Sequence, residues 1–386
     1  VTFDRQLAQR LHLSDRDVAP FFAGRTAEIA SFNEALDTAR QKSQAVFRIY
    51  QGAPGCGKTS LADHLSQISG ERTLFTRFSE SDDFDKESLA VAVHEAAAAA
   101  NKPAEIAKEV AEIALSLIGK DRLAQILKEG GLGAIPKSTD IVIHIDEAHS
   151  MGDKFNPFIK TLHAKGIGWP CVVLLTGLSQ TQRRIERIPG MSRLAEDATQ
   201  HMGAMALAEC VDSTMNMLNT IGATGDHEDA AYRVARLSFG WPRHLNRAQK
   251  ALRDELLIED VDGDLQRADF GRIKQKSDES RAHYYASRIN APLLAQDQAL
   301  TLRMLDALRE TRSINTIREL ASLCKRVIER HGVHGDFPFD PQQGLAFAEA
   351  LMQRGILVES GTSFEIATPS MADWVHDQCH QHDRAN

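Results

Sequence analysis

The chain has 386 residues, 42% of them hydrophobic and 25% charged, with a formal net charge of -8 at pH 7. This is an ordinary globular composition, long enough for two or three domains, and its negative field repels phosphate, so any contact with nucleic acid has to come from a local basic patch. No apolar run reaches about 18 residues and the opening VTFDRQ lacks the layout of a signal peptide, which predicts no membrane partner and a cytoplasmic location.

In chain order, residues 1–19 read as a helical lead-in. Pro20-Phe21-Phe22-Ala23-Gly24-Arg25 then reads as a turn before a helix, with Thr26 as its N-cap and Glu28 favouring the helix dipole. Strand-like runs follow at 45–50, 73–78, 141–145 and 172–175, separated by helical stretches, the pattern of a parallel sheet with crossover helices. The expected class is α/β, with its core over 20–204. An Ala- and Ile-rich segment at 87–129 carries apolar residues on more than one face and is expected to pack on the core or on a neighbouring subunit.

Beyond residue 205 strands disappear. Helical periodicity at 207–218, 227–237 and 243–257 predicts a small helical domain over 205–290, whose polar stretch 262–280 reads as a connector. Over 291–386, helices at 299–308, 314–330 and 342–354 precede apolar runs at 356–359 and 364–367 around Ser360-Gly361-Thr362-Ser363, so three helices and a hairpin predict a winged helix. The last residues hold His376, Cys379, His380 and His382 without a regular ligand frame, and read as a disordered polar terminus rather than a metal site. The five cysteines are scattered and lack CxxC spacing, so reduced thiols are expected.

Residues 52–59, GAPGCGKT, fit GxxxxGK[ST] at Gly52, Gly57, Lys58 and Thr59, with a strand before and a helix after, as the motif requires. The loop of Gly52, Ala53, Pro54, Gly55, Cys56, Gly57, Lys58, Thr59 and Ser60 is thereby assigned to the phosphates of a nucleotide. Its glycines let backbone N–H groups curl around the phosphates, Lys58 reaches the β and γ oxygens, and the Thr59 hydroxyl coordinates Mg²⁺. A chance glycine turn is the competing reading, and a partner motif weighs against it.

That partner is the apolar run Ile141-Val142-Ile143-His144-Ile145, closed by Asp146 and Glu147. At the C-terminal end of a strand Asp146 holds the metal's water shell and Glu147 polarises an attacking water; the bland alternative is that the pair caps a helix beginning at Ala148. ATP and Mg²⁺ are the expected cofactors, and Glu147 favours turnover over static holding. The spelling Asp146-Glu147-Ala148-His149 matches that of DEAH-box helicases, but these need a second RecA-like sheet, where this chain reads as helices and a hairpin.

Four further features give a resemblance to AAA+ ATPases of the initiator-like branch, which includes archaeal origin-recognition proteins. Phe22-Ala23-Gly24-Arg25 followed by Glu28 looks like the N-terminal box that contacts adenine, and Thr176, where many members carry Asn, resembles sensor 1. Gly190-Met191-Ser192-Arg193-Leu194 resembles the arginine-finger segment, placing Arg193 in a neighbour's site, with Arg183, Arg184 and Arg187 as rivals. Gly240-Trp241-Pro242-Arg243-His244 resembles the sensor 2 motif, with Arg243 facing the phosphates and Trp241 packing under the lid or stacking near the base. The resemblance covers residues 20–260, and the C-terminal winged helix extends it to the three-domain plan of the initiators.

What it implies is an ATPase that assembles as a homo-oligomer and loads or remodels a partner on double-stranded DNA. The expected reading helix, 342–354, offers Arg354 against Glu349, the wing carries Glu359 and Glu365, and Arg318, Lys325, Arg326 and Arg330 gather instead on the helix before it. DNA binding and docking of a protein partner therefore stay open side by side. So do two further roles, a regulatory switch acting on a protein effector, as in phage defence, and a transposition-type helper.

Overall fold

The computed structural model describes residues 2–11, 21–42, 45–70, 72–78, 140–153, 155–165, 170–289, 298–311, 314–331, 341–360 and 363–385. The expectation for 87–129 lies outside them. The chain forms two compact units, one of Val1–Gly24, Gly52–Ser60 and Met202–Asn386, the other of Arg25–Gln51 and Leu61–His201. Helix α1 (Arg5–Arg10) opens the first, helical unit, and Asp4 caps it by accepting from the Leu7 N–H.

The second unit is built on a parallel sheet of five strands, in the order β2-β3-β4-β1-β5, with β1 at Ala45–Gln51, β2 at Thr73–Phe78, β3 at Asp140–Ile145, β4 at Cys171–Gly177 and β5 at Thr199–His201. Every residue of β3 and β4 is buried, as expected for parallel strands covered on both faces. One face is formed by Phe47, Ile49, Ile141, Ile143, Val173 and Leu175, which pack in one apolar cluster with Phe155, Ile159, Ile185 and Ala195. Those partners lie on α4 (Phe155–Lys165), α5 (Gln180–Glu186) and α6 (Ser192–Ala198), which follow α2 (Thr26–Lys42) and α3 (Lys58–Ile68) in the chain. The alternate residues of β1 point to α2: Tyr50 Oη donates to the Glu28 carbonyl at 2.7 Å and Arg48 Nε to Ser31 Oγ at 2.8 Å. Helix α2 starts at Thr26 itself, and the Arg25 carbonyl accepts from the Ile29 N–H, so Arg25 occupies the cap expected of Thr26.

The helical unit has two cores. Around the first lie α1, α7 (Leu207–Ile221), α8 (His227–Ser238), α9 (Pro242–Leu256) and the start of α10 (Phe270–Ile289), with Cys210, Met217, Val234, Leu245, Leu252 and Ile273 inside. The stretch expected to be a connector at 262–280 is thus half helix, because Ile273, Ser277, Tyr284 and Tyr285 line one buried side of an otherwise polar α10.

The second core joins the end of α10 to α11 (Gln298–Glu310), α12 (Ile317–His331), α13 (Pro341–Gln353), the antiparallel pair β6 (Leu357–Ser360) and β7 (Ser363–Ile366), and α14 (Pro369–Ala385). The expected three helices and hairpin are present as elements. The disordered terminus is not: α14 runs through it, anchored by Met371, Val375 and Cys379, which recur every four residues and are buried. Among the described residues no helix is long and apolar enough to cross a membrane, and no group of three or more His, Cys, Asp or Glu is placed to hold a metal.

Candidate active site

In the helical unit, the loop at Gly52–Ser60 has the backbone that its glycines were expected to supply. Gly55 and Gly57 adopt φ of +81° and +93°, the left-handed region that a side chain strains to enter. A Cβ on Gly52 would lie 2.4 Å from the Met202 carbonyl oxygen, so that position also needs glycine. Lys58 opens α3 and is only 6% exposed; its Nζ donates to the carbonyls of Gly52 and Ala53 at 2.9 and 3.2 Å, with Cys56 Sγ 4.0 Å away. Thr59 and Ser60 follow in the first turn of that helix, half-buried, where backbone N–H groups and the helix dipole favour an anion.

The start of α9 is held against this loop. Phe239 and Gly240, both left-handed at φ +52° and +74°, turn the chain out of α8, and Pro242 follows at the first position of α9, where its missing N–H costs nothing. Trp241 is 2% exposed, and its Nε1 donates to the Pro54 carbonyl at 3.3 Å, which supports core packing rather than stacking on a base. Arg243 donates its backbone N–H to the Gly55 carbonyl at 3.1 Å, and its guanidinium lies 4.7 Å from the Tyr284 ring centroid. Tyr284 Oη donates to the same Pro54 carbonyl at 3.0 Å. Sequence reasoning missed Tyr284, which sits just beyond the stretch read as a connector. The signal was the adjacent Tyr284-Tyr285 pair in a polar run.

Gly24 has φ +75°, and a Cβ there would clash with Glu209.

The sheet unit holds Arg25, nearly buried, with φ +58° and its guanidinium 3.3 Å from Glu28. It also holds the carboxylates. Asp146 follows β3, its N–H donating to the Phe78 carbonyl at 3.0 Å, and its Oδ1 accepts from the Thr176 hydroxyl at 2.7 Å and the Glu147 N–H at 3.0 Å. Thr176 is fully buried near the end of β4. Glu147 has φ +51°, uncommon for a side-chain-bearing residue, and its carboxylate is 49% exposed. No helix begins at Ala148, since residues 146–150 form turns, so the capping alternative falls.

His149 Nδ1 accepts from the Leu178 N–H at 3.2 Å and lies 3.3 Å from Glu147 Oε2. His144, on β3, was read only as part of an apolar run. It is 1% exposed, its Nε2 is 2.8 Å from Thr176 Oγ1, and burial holds its pKa down at about 4, so it is neutral.

Arg193 is exposed in the first turn of α6. Its rival Arg184 is engaged elsewhere, donating to the carbonyls of His149 and Gly152 at 3.0 Å each and lying over Phe155. In the C-terminal core, Arg354 is half-buried and its Nε is buried without a hydrogen-bond partner, while Arg318, Lys325, Arg326 and Arg330 lie exposed on α12.

No family model matches the chain. No curated protein matches it either. Solved structures do. The Walker-type ATPase of Pyrococcus abyssi superposes with a TM-score of 0.54 at 14% identity, covering 92% of this chain and 95% of that one. The ORC2 protein of Aeropyrum pernix, in ADPNP and ADP complexes, superposes with a TM-score of 0.51 at 14% identity, covering 94% and 96%. With a glycine loop leading into α3, a parallel sheet ending in Asp146 and Glu147, and a helical unit after it, the chain shares the α/β fold of these two proteins.

Proposed function

We propose that the protein is an ATPase that binds ATP with Mg²⁺ on the Gly52–Ser60 loop, hydrolyses it, and couples turnover to assembly of a homo-oligomer that loads or remodels a partner on double-stranded DNA. The observation that carries the reading is Lys58, an ammonium group buried inside a left-handed glycine loop and bonded to that loop's own carbonyls. A buried cation at a helix N-terminus is a site for polyphosphate.

By donor type Thr59 and Asp146 suit Mg²⁺, which accepts hard oxygen ligands alongside its waters. When bound, the ion neutralises charge on the β and γ oxygens. Lys58 then exchanges its carbonyl partners for phosphate oxygens. Glu147, half-exposed on a left-handed turn, orients the attacking water and takes its proton, and Thr176, at the sensor 1 position, acts through the bond its hydroxyl donates to Asp146. Arg243 reports the phosphates to α9, and Arg193 completes the site of a neighbouring copy. Gly24 and Arg25 belong to the adenine end. Residues 205–290 act as the lid, and 291–386 as the winged-helix-like module that meets the partner.

A second reading keeps the ATPase and directs it at a protein effector. It is favoured by the carboxylates of Glu349, Glu359 and Glu365 on the helix expected to read DNA and on its wing, which oppose a phosphate backbone. The deciding experiment measures ATP turnover against protein concentration with and without duplex DNA, at two salt concentrations. Turnover that rises with DNA and falls with salt supports the first reading. Turnover indifferent to DNA supports the second, and none in any condition sinks both.

A further inference from the structure

A buried hydrogen-bonded chain crosses from β3 to β4 beneath Asp146. His144 Nε2 lies 2.8 Å from Thr176 Oγ1, and Thr176 Oγ1 lies 2.7 Å from Asp146 Oδ1. The proton directions are fixed by what each group can do. An ionised carboxylate only accepts, so the Thr176 hydroxyl spends its one proton on Asp146; its oxygen must then accept, which makes His144 Nε2 the donor. The imidazole is therefore the Nε2–H tautomer, and its Nδ1 is a bare lone pair.

That lone pair is the informative atom. His144 Nδ1 is buried and has no hydrogen-bond partner. Ile143 and Ile145 on either side are fully buried, and an apolar residue at this place would avoid a desolvated, unmatched nitrogen. The other end of the ring does find a polar partner, the Thr176 hydroxyl. Removing the Nε2–H frees the hydroxyl to rotate, which weakens one of the bonds that hold Asp146 Oδ1, another coming from the Glu147 N–H.

We propose that His144 is a positioning residue for the metal-bearing carboxylate: its Nε2–H locks the Thr176 hydroxyl so that Asp146 is held in the orientation that receives Mg²⁺. The inference rests on the ATPase reading and deepens it. Partners that orient a ligand in this way are worth about tenfold or more in metal affinity.

The test compares wild type with His144→Leu, which removes the donor, and His144→Gln, whose amide N–H replaces Nε2–H. A fluorescent ATP analogue is titrated in EDTA and across Mg²⁺ concentrations, alongside thermal melts. His144→Leu is expected to melt no lower than wild type, to bind the analogue in EDTA as wild type does, and to need about tenfold more Mg²⁺ for the metal-dependent gain in affinity. His144→Gln is expected to restore most of that gain. Thr176→Val, which keeps the histidine and removes the hydroxyl, gives the same Mg²⁺ shift and carries the test should His144→Leu fail to fold. A wild-type Mg²⁺ requirement in folded His144→Leu or in Thr176→Val, or a His144→Gln protein as impaired as His144→Leu, overturns the proposal. Failure of the underlying reading looks different: the wild type itself then shows no Mg²⁺-dependent gain, and Lys58→Ala binds the analogue as well as wild type.

Discussion

The backbone N–H of Arg243 donates to the carbonyl of Gly55 at 3.1 Å, so the first turn of α9 rests directly on the Gly52–Ser60 loop. A Cβ on Gly55 would lie 2.9 Å from Arg243 Cβ, at a residue already at φ +81°. Gly55→Ala is therefore expected to cost about 1–2 kcal/mol of backbone strain. Borne by the loop alone, that is about tenfold in nucleotide affinity. Titration of a fluorescent ATP analogue checks it, and unchanged affinity would show that the loop and α9 separate freely.

Arg193 is expected to act in trans. Arg193→Ala and Glu147→Gln proteins should each hydrolyse ATP poorly alone, and mixing them should restore part of the rate at mixed interfaces. Because Arg184 is held by the carbonyls of His149 and Gly152, Arg184→Ala should instead lower the melting temperature. A mixture no faster than its components would remove Arg193 from the role.

Asp140 is fully buried and accepts from Arg40 Nη2 at 2.7 Å; that bond raises the Arg40 pKa, and Arg72 stands further off at 3.9 Å. Arg40→Ala leaves the carboxylate with the weaker partner and should cost about 2–3 kcal/mol in urea unfolding, just under the range for a fully buried pair because Arg40 is part-exposed. A loss under about 0.5 kcal/mol, the size of an exposed pair, would contradict this placement.

His244 links α9 to the C-terminal core: its Nε2 is 2.9 Å from Tyr285 Oη, which lies 2.5 Å from Ser370 Oγ. Burial, followed by the charges of Arg281 and Arg243, lowers its pKa to about 3. The unfolded histidine titrates near about 6.5, so between those values the unfolded chain binds the extra proton. Stability from this group is complete above about pH 6.5 and is lost as the pH falls through the window, by about 2 kcal/mol at pH 5. His244→Gln should flatten the pH dependence of urea stability between pH 5 and 7, and an unchanged slope would place the titration elsewhere.

Much of this architecture was legible in the chain. β1 through α3 could be read because an apolar run, a glycine pattern and a helical run each obey local rules, and Asp146-Glu147 stood out as charge ending a buried strand. β5 could not: Thr199-Gln200-His201 is short and polar, and becomes a strand only by pairing with Ile49, Tyr50 and Gln51. Helix α14 was hidden by its histidines and acids, although Met371, Val375 and Cys379 carried its period. Tyr284 and His144 were missed for a common reason. Their roles come from a carbonyl on Pro54 and a hydroxyl on Thr176, partners that only the tertiary fold brings near.

The central claim, that Lys58 binds nucleotide and Glu147 turns it over, is tested most directly by measuring ATP binding and hydrolysis in Lys58→Ala and Glu147→Gln side by side. The expected result is loss of binding in Lys58→Ala, with retained binding and a rate lower by about a hundredfold or more in Glu147→Gln. Equal loss of binding in both, or undiminished turnover in Glu147→Gln, would contradict the account.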